Sequence, residues 1–450
     1  MRLVAAHRRT LVVYEDGRIN APFTCFLNDR FDNINTRESV ALSLRVLHRF
    51  LTAHRIDLAS RAIEAQCLMD VECNWLADVS YRPLEELERM NDSMVRRLGQ
   101  AASSSKQETL EPRDRKGAVS PNTAKRRLDA AADFLGWFRE SLLDPSIRSA
   151  AIRNDLRECY QTTIDHLRSE IRGSKQNHHS QVQSLPSSRF LEILRTIFLS
   201  PERVFASASG KPSSTTIRDR AIALLAAEGL RPGFIANLTV DDFTWQRGKS
   251  DGYMQLKDNI AKRQTRLTAA TPQSKGMRST SKSYNSEGRI KLWPFTCDAV
   301  QDYIDEERAS VIGKTLANRS KSFLILAEHG GPIGDRSTIN KILQRAEKNL
   351  LKLGLLDVTS DPHANGKTYE FYPYVLRHSG ATLFFQEKSK ELNSKELVLD
   401  LMRTRFGWKQ NSEMPQIYAK RAMIDTANVN MMDLYAELKQ EHQRKKERKS

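Results

Sequence analysis

Apolar residues recur at helical spacing along most of the chain. Between Arg37 and His54, Val40, Leu42, Leu44, Val46, Leu47 and Leu51 supply one apolar face and predict a helix. Residues 1–35, ahead of it, read as irregular or strand-like. A second helix is expected from Arg82-Pro83, with the proline in its first turn and Glu85 and Glu86 close behind. Residues 101–119 are rich in Ser, Lys, Glu and Arg and predict an exposed loop. Ser120 or Asn122 can then cap a helix running to about Leu143, with Leu128, Ala131, Phe134, Leu135 and Phe138 inward. Periodicity stops over residues 172–187, a polar stretch carrying Gly and Pro, which reads as a linker. This places a helical domain at 1–172, a linker at 173–187, a second domain at 188–438 and a basic tail at 439–450. Past the linker, Ser187 or Ser188 is expected to cap a new helix. Arg218 to Glu228 is a strong helix pattern closed by Gly229, as a glycine just past a helix end would close it. Gly252–Leu256 and Gly288–Pro294 read as two paired strands separated by a polar, lysine-bearing loop. The pattern therefore predicts a mainly α protein, helical in its first domain and mixed in its second, with a small antiparallel sheet. No internal repeat is present.

Composition narrows the function. The 450 residues, 39% hydrophobic, are enough for two cores. A net charge of +16 favours a polyanionic partner through phosphate neutralisation and counterion release. Five cysteines, an odd number with no Cys-x-x-Cys pair, argue against a disulfide framework and a zinc ribbon. The histidines lack metal-ligand spacing, and His178-His179 sits in the polar stretch. No apolar run approaches the roughly 20 residues that span a membrane. Met1-Arg-Leu-Val-Ala-Ala-His-Arg-Arg has charge but no following apolar block or cleavage site. The expected setting is the cytoplasm, in association with DNA.

Candidate chemistry lies in four separated segments. The first is Glu228-Gly-Leu-Arg231-Pro-Gly. The others are Tyr374-Val-Leu-Arg377-His378-Ser-Gly-Ala-Thr382, Arg405-Phe-Gly-Trp408 and Gln416-Ile-Tyr418. Two arginines can grip both non-bridging oxygens of one phosphate through their forked donors and stabilise the charge of a pentacoordinate transition state. A tryptophan can donate its indole N–H, and a tyrosine can attack phosphorus.

This order resembles the signature of the tyrosine recombinases, the phage-integrase-like family: Arg, a hairpin Lys, His-x-x-Arg, His or Trp, then Tyr. The likeness runs in order over roughly residues 185–435, including Ser322–Gly334. It covers 37–170 more loosely, through Thr123, Arg127, Phe134 and Trp137 in a helix like the last major one of the family's core-binding domain. It implies an all-helical core-binding domain and a mixed catalytic domain forming a C-shaped clamp on DNA. Arg231 and Arg377 would hold the scissile phosphate, Trp408 would assist, and Tyr418 would form a 3′-phosphotyrosyl bond and release a 5′-hydroxyl. The covalent bond conserves the phosphodiester energy, so no cofactor, metal or ATP is required.

Partners implied by the family are double-stranded DNA, a homotetramer on two sites, and accessory proteins of the same mobile element. The C-terminal segment, with Met423, Ile424, Val429, Met431, Met432 and Leu434, would dock on a neighbouring protomer. Lys257, Lys262 and Lys275 all fit the hairpin lysine that protonates the leaving oxygen, with Lys262 favoured for following the first strand. Two positions depart from the pattern. Phe234 stands where the family has a carboxylate, so Glu228 or Asp242 is expected to supply the charge. Tyr374 stands where the family has His, and a phenol is a poor proton acceptor at neutral pH. His378 is read as support, His363 as a substitute base, and Tyr435 as a lesser nucleophile. The competing readings are a catalytically decayed DNA-binding relative and a topoisomerase of the type IB kind.

Overall fold

The computed structural model describes residues 2–6, 9–14, 16–104, 118–170, 182–207, 210–211, 213–257, 259–263, 271–272, 288–312, 322–357, 361, 363, 369–409, 411–425, 439 and 444. The chain forms two compact units, Met1–Asn177 in the first, and His178–Thr265 with Ala270–Ser450 in the second. Of the expected linker at 173–187, only residues from 182 on are described. Of the tail at 439–450, only Lys439 and Arg444 are.

The first unit opens with an antiparallel ribbon of β1 (Arg2–Ala6) and β2 (Arg9–Val13), Arg2 facing Val13. Among the described residues eight α-helices follow. They are α1 (Ala21–Arg30), α2 (Ile34–His54), α3 (Leu58–Ile63), α4 (Asp70–Ser80), α5 (Leu84–Arg89), α6 (Asp92–Ser104), α7 (Pro121–Phe138) and α8 (Ala150–Glu170). Two expectations need correction. The unit is not all helical, because the N-terminal ribbon is paired. Residues 1–35, read as irregular or strand-like, hold the two strands, but they also hold a helix, α1 at Ala21–Arg30. There Asn20 accepts from the Phe23 N–H at 3.0 Å, and Phe23, Phe26 and Leu27 turn to the core, a face too short to stand out in the sequence. Helix α2 buries Leu44, Val46 and Leu47, whereas Leu42 is exposed. Ser120 caps α7 by accepting from Thr123 N–H at 3.3 Å. All five apolar residues expected inward on α7 are buried. This helix ends at Phe138, and its last expected turn, Arg139–Leu143, continues as a wider π-turn. Arg127 donates to the carbonyls of Ser80 and Arg82, tying α7 to the end of α4.

The second unit holds α9 (Ser187–Leu199), α10 (Pro201–Val204), α11 (Thr216–Ala227) and α12 (Pro232–Ile235), then a small sheet. The sheet is antiparallel, in the order β3 (Phe243–Thr244), β4 (Gly252–Gln255), β5 (Arg289–Leu292), with Tyr253 opposite Lys291. Then come α13 (Pro294–Tyr303), α14 (Ala309–Ile312), α15 (Thr338–Lys352), α16 (Pro373–Glu391), α17 (Lys395–Phe406) and α18 (Met414–Tyr418). Neither Ser187 nor Ser188 caps α9. Pro186 holds that position, and the Ser187 hydroxyl bonds Gln386 at 2.5 Å instead. Helix α11 is the centre of this unit, since every residue from Ala221 to Ala227 is buried. Helix α16 lies against it at Gly380, where a Cβ would stand 2.1 Å from the Ala227 carbonyl oxygen. That approach sets the start of α16 beside the end of α11. The protein is thus mainly α with a small antiparallel sheet, and no helix among the described residues is long and apolar enough to cross a membrane.

Candidate functional site

Helix α11 ends where the glycine requires it to. Gly229 has φ +93°, a conformation that favours glycine, and a side chain there would meet the Phe406 ring at 2.4 Å. Arg231 follows at the N-cap position of α12, half-buried. Arg377, on the first turns of α16, is 4% exposed. Its Nη1 donates to the Gly229 carbonyl and its Nη2 to the Phe406 carbonyl at 2.9 Å. Its buried Nε has no hydrogen-bond partner among the described residues. Burial, and then repulsion from the Arg231 charge, push the Arg377 guanidinium down to about 10. Both arginines line one pocket, with Gly229, Phe234, Arg405 and Gly407 in its wall.

Three rings close around Arg377. Its guanidinium lies 5.3 Å from the Trp408 ring centre, 5.7 Å from Tyr418 and 5.4 Å from Phe406. Gly407, at φ +65°, ends α17 and aims Trp408 inward. The indole Nε1 of Trp408 is buried with no hydrogen-bond partner among the described residues. Tyr418, at the end of α18, is 3% exposed and stacks face to face on His378, centres 3.7 Å apart and planes within 2°. Its carbonyl accepts from the Thr382 hydroxyl at 2.9 Å. Burial raises the Tyr418 phenol above its ordinary value, against the pull of the Arg377 charge. The resting group is therefore a neutral phenol beside a cation.

The remaining expected residues are less closely gathered. Tyr374 is 49% exposed on the first turn of α16, yet near enough for its phenol to act electrostatically on both Arg377 and Tyr418. Lys262 is exposed at the end of a 3-10 turn, Ile260–Lys262, and does not line the pocket. Lys257 is exposed too, and Lys275 and Tyr435 lie outside the described residues. His363 is paired with Asp425 at 2.8 Å. The two carboxylates expected to replace the missing one are engaged elsewhere. Asp242 accepts from the Thr239 N–H and hydroxyl and from the Asn259 amide. Glu228, wholly buried, accepts from the Trp293 N–H at 2.5 Å and pairs with Arg405.

That last pair is what the sequence reading missed. The signal was Arg405 itself, three residues before Trp408 and without an assigned role. Stacked His378 was likewise read only as support. No group of His, Cys, Asp and Glu that could hold a metal ion occurs among the described residues. No protein-family model matches the chain, and no curated protein matches it.

Proposed function

We propose that this protein cuts and rejoins double-stranded DNA by passing a phosphate to Tyr418, as a site-specific recombinase or integrase of a mobile element does. The observation that carries the reading is the convergence on Arg377. Trp408 and Tyr418 stand over its guanidinium, Arg231 shares its pocket, and two buried donors, Arg377 Nε and Trp408 Nε1, face no acceptor among the described residues. Unfilled buried donors are costly, and an anionic oxygen brought by a ligand satisfies them.

In the proposed reaction the arginines hold the non-bridging oxygens of the scissile phosphate. The Tyr418 oxygen bonds phosphorus as the bond from phosphorus to the 5′-oxygen breaks. The phenolic proton is, in net, replaced on the 5′-oxygen, giving a 3′-phosphotyrosyl bond and a free 5′-hydroxyl. The reverse step, with a 5′-hydroxyl from another strand, rejoins the DNA. Preorganised cations in a desolvated site favour the transition state over the ground state. Lys262 remains the proposed donor to the leaving oxygen, which requires the Asn259–Arg263 segment to approach the DNA. Synapsis of two sites by four copies and action with partners of the same element belong to this proposal.

The test is a covalent-adduct assay. Nicked suicide duplexes carrying the DNA that flanks the gene in its source are incubated with the protein and resolved on a denaturing gel. Adduct with wild type and none with Tyr418→Phe is the expected result. An adduct that persists in Tyr418→Phe removes Tyr418 as nucleophile. Phe234 and Tyr374, which replace a carboxylate and a histidine, favour a second reading, a decayed site that binds DNA only. Binding of the duplexes without adduct is its outcome.

A further inference from the structure

Lining the same pocket as Arg231 and Arg377 is an ion pair that the proposed reaction does not use. Glu228 has no exposed side-chain surface, and Arg405 retains 15%. Both carboxylate oxygens are occupied, Oε1 by the Trp293 N–H and Oε2 by Arg405 Nη2. Arg405 Nη1 donates to the Lys291 carbonyl at 2.8 Å, and the guanidinium lies over the Phe384 ring at 5.4 Å and the Trp293 ring at 5.8 Å. Every side of the pair is therefore fixed. Its chain neighbours matter most. Glu228 precedes Gly229, whose carbonyl holds Arg377 Nη1. Arg405 precedes Phe406, whose carbonyl holds Arg377 Nη2. The ion pair and Arg377 thus form two parallel ties between the same two turns, one turn carrying Arg231 and the other Trp408.

We infer that Glu228 and Arg405 are positioning residues: their pair clamps the two turns together and so fixes the carbonyls that aim the Arg377 guanidinium. This inference rests on the strand-transfer reading for its reaction, though the geometry stands apart from it. Phe234 lines the pocket wall three residues after Arg231, and the buried carboxylate of Glu228 is paired with Arg405 on the frame. A clamp of this kind acts on rate more than on affinity, because displacement by about 1 Å at the reacting centre can cost 100-fold.

The test compares Arg405→Gln, Arg405→Lys and the double variant Glu228→Gln/Arg405→Gln in the full chain. Three quantities are read: the urea midpoint, the duplex Kd by anisotropy, and the single-turnover adduct rate at saturating suicide duplex. Arg405→Gln strands a buried carboxylate and lowers both midpoint and rate. In the double variant two amides can bond each other, so the midpoint returns to the wild-type range. The rate nevertheless stays down about tenfold, with Kd changed less than about threefold. Arg405→Lys, which keeps the charge and loses the fork, recovers part of the rate.

If the rate returns with the midpoint in the double variant, the pair only stabilises the fold and the inference is overturned. A wild type that forms no adduct on any duplex sinks strand transfer instead. The pair is then judged by tungstate, a tetrahedral dianion, titrated against tryptophan fluorescence. The inference expects binding weakened about fivefold or more in the double variant. Equal affinity in wild type and double variant, or no binding by wild type, overturns it.

Discussion

Arg218 and Arg377 are two buried arginines of the same unit, 8% and 4% exposed, and they spend their donors differently. Arg218 gives Nε and Nη2 to the Asp219 carboxylate at 2.9 and 2.8 Å and Nη1 to the Leu326 carbonyl at 3.2 Å. Asp219 in turn accepts from the Thr215 hydroxyl and from Arg345. Arg377 meets two carbonyls and the Tyr418 phenol, has no partner for Nε among the described residues and lies beside the Arg231 charge. A guanidinium saturated by a carboxylate is complete within the fold. One held by neutral groups keeps its net charge uncompensated, and the strand-transfer proposal assigns that charge to a phosphate. Burial alone does not distinguish the two arginines; the identity of their acceptors does.

Substitution at both positions is the strongest way to break that contrast. Under the strand-transfer proposal, Arg377→Ala lowers the adduct rate by about 100- to 1000-fold. Its urea midpoint falls less than that of Arg218→Ala, because two neutral carbonyls rather than a carboxylate lose a partner. Arg218→Ala does the reverse. It takes one of two cations from Asp219, leaving Arg345, and costs about 2 kcal/mol in urea unfolding, while the adduct rate per folded molecule is retained. Equal loss of stability in both variants removes the distinction.

Trp408→Phe sharpens it further by deleting one bare donor and keeping the ring. The expected result is a fall in adduct rate of about tenfold, the worth of one hydrogen bond to a charged group, with stability within about 1 kcal/mol of wild type. A Trp408→Phe protein that cleaves at the wild-type rate makes the indole a packing residue only.

The smallest effect is a pH dependence at a second saturated pair. Burial would raise the Asp361 carboxyl, but hydrogen bonds from Arg421 and from the His363 N–H outweigh it and hold the group below its ordinary value. A lowered folded value adds stability above the unfolded one and loses it as pH falls through the folded value. Urea midpoints of wild type and Asp361→Asn should therefore differ above about pH 4 and converge in more acid solution. Curves that stay parallel across that range show that the carboxylate's charge contributes nothing.

Much of the second unit was legible from spacing. The α11 pattern, its end at Gly229 and the pairing of the strand at Gly252 with the strand at Arg289 all follow from short-range rules. In the first unit, so does the cap of α7 at Ser120, one of its two candidates. The candidate site was legible as an ordered set of residues, and the structure gathers Arg231, Arg377, Trp408 and Tyr418. Less legible was the N-terminal ribbon with α1, where short elements give too few repeats to reveal a period. Charge partners were not legible at all. Glu228 or Asp242 was expected to supply the charge missing after Arg231, but Glu228 pairs with Arg405 and Asp242 accepts from Thr239 and Asn259.

The sequence by itself determined where some helices begin or end, as at Ser120 and Gly229, and which residue types could do chemistry on a phosphate, because caps, glycine turns and side-chain donors act within a few residues. Only the tertiary structure decided which donors are spent and which are left. The partners are remote along the chain: 148 residues separate Arg377 from Gly229, and 177 separate Arg405 from Glu228. Local preferences do not reach that far, so those choices come from how α11, α16 and α17 pack, set by close approaches such as Gly380 on Ala227 and Gly229 under Phe406.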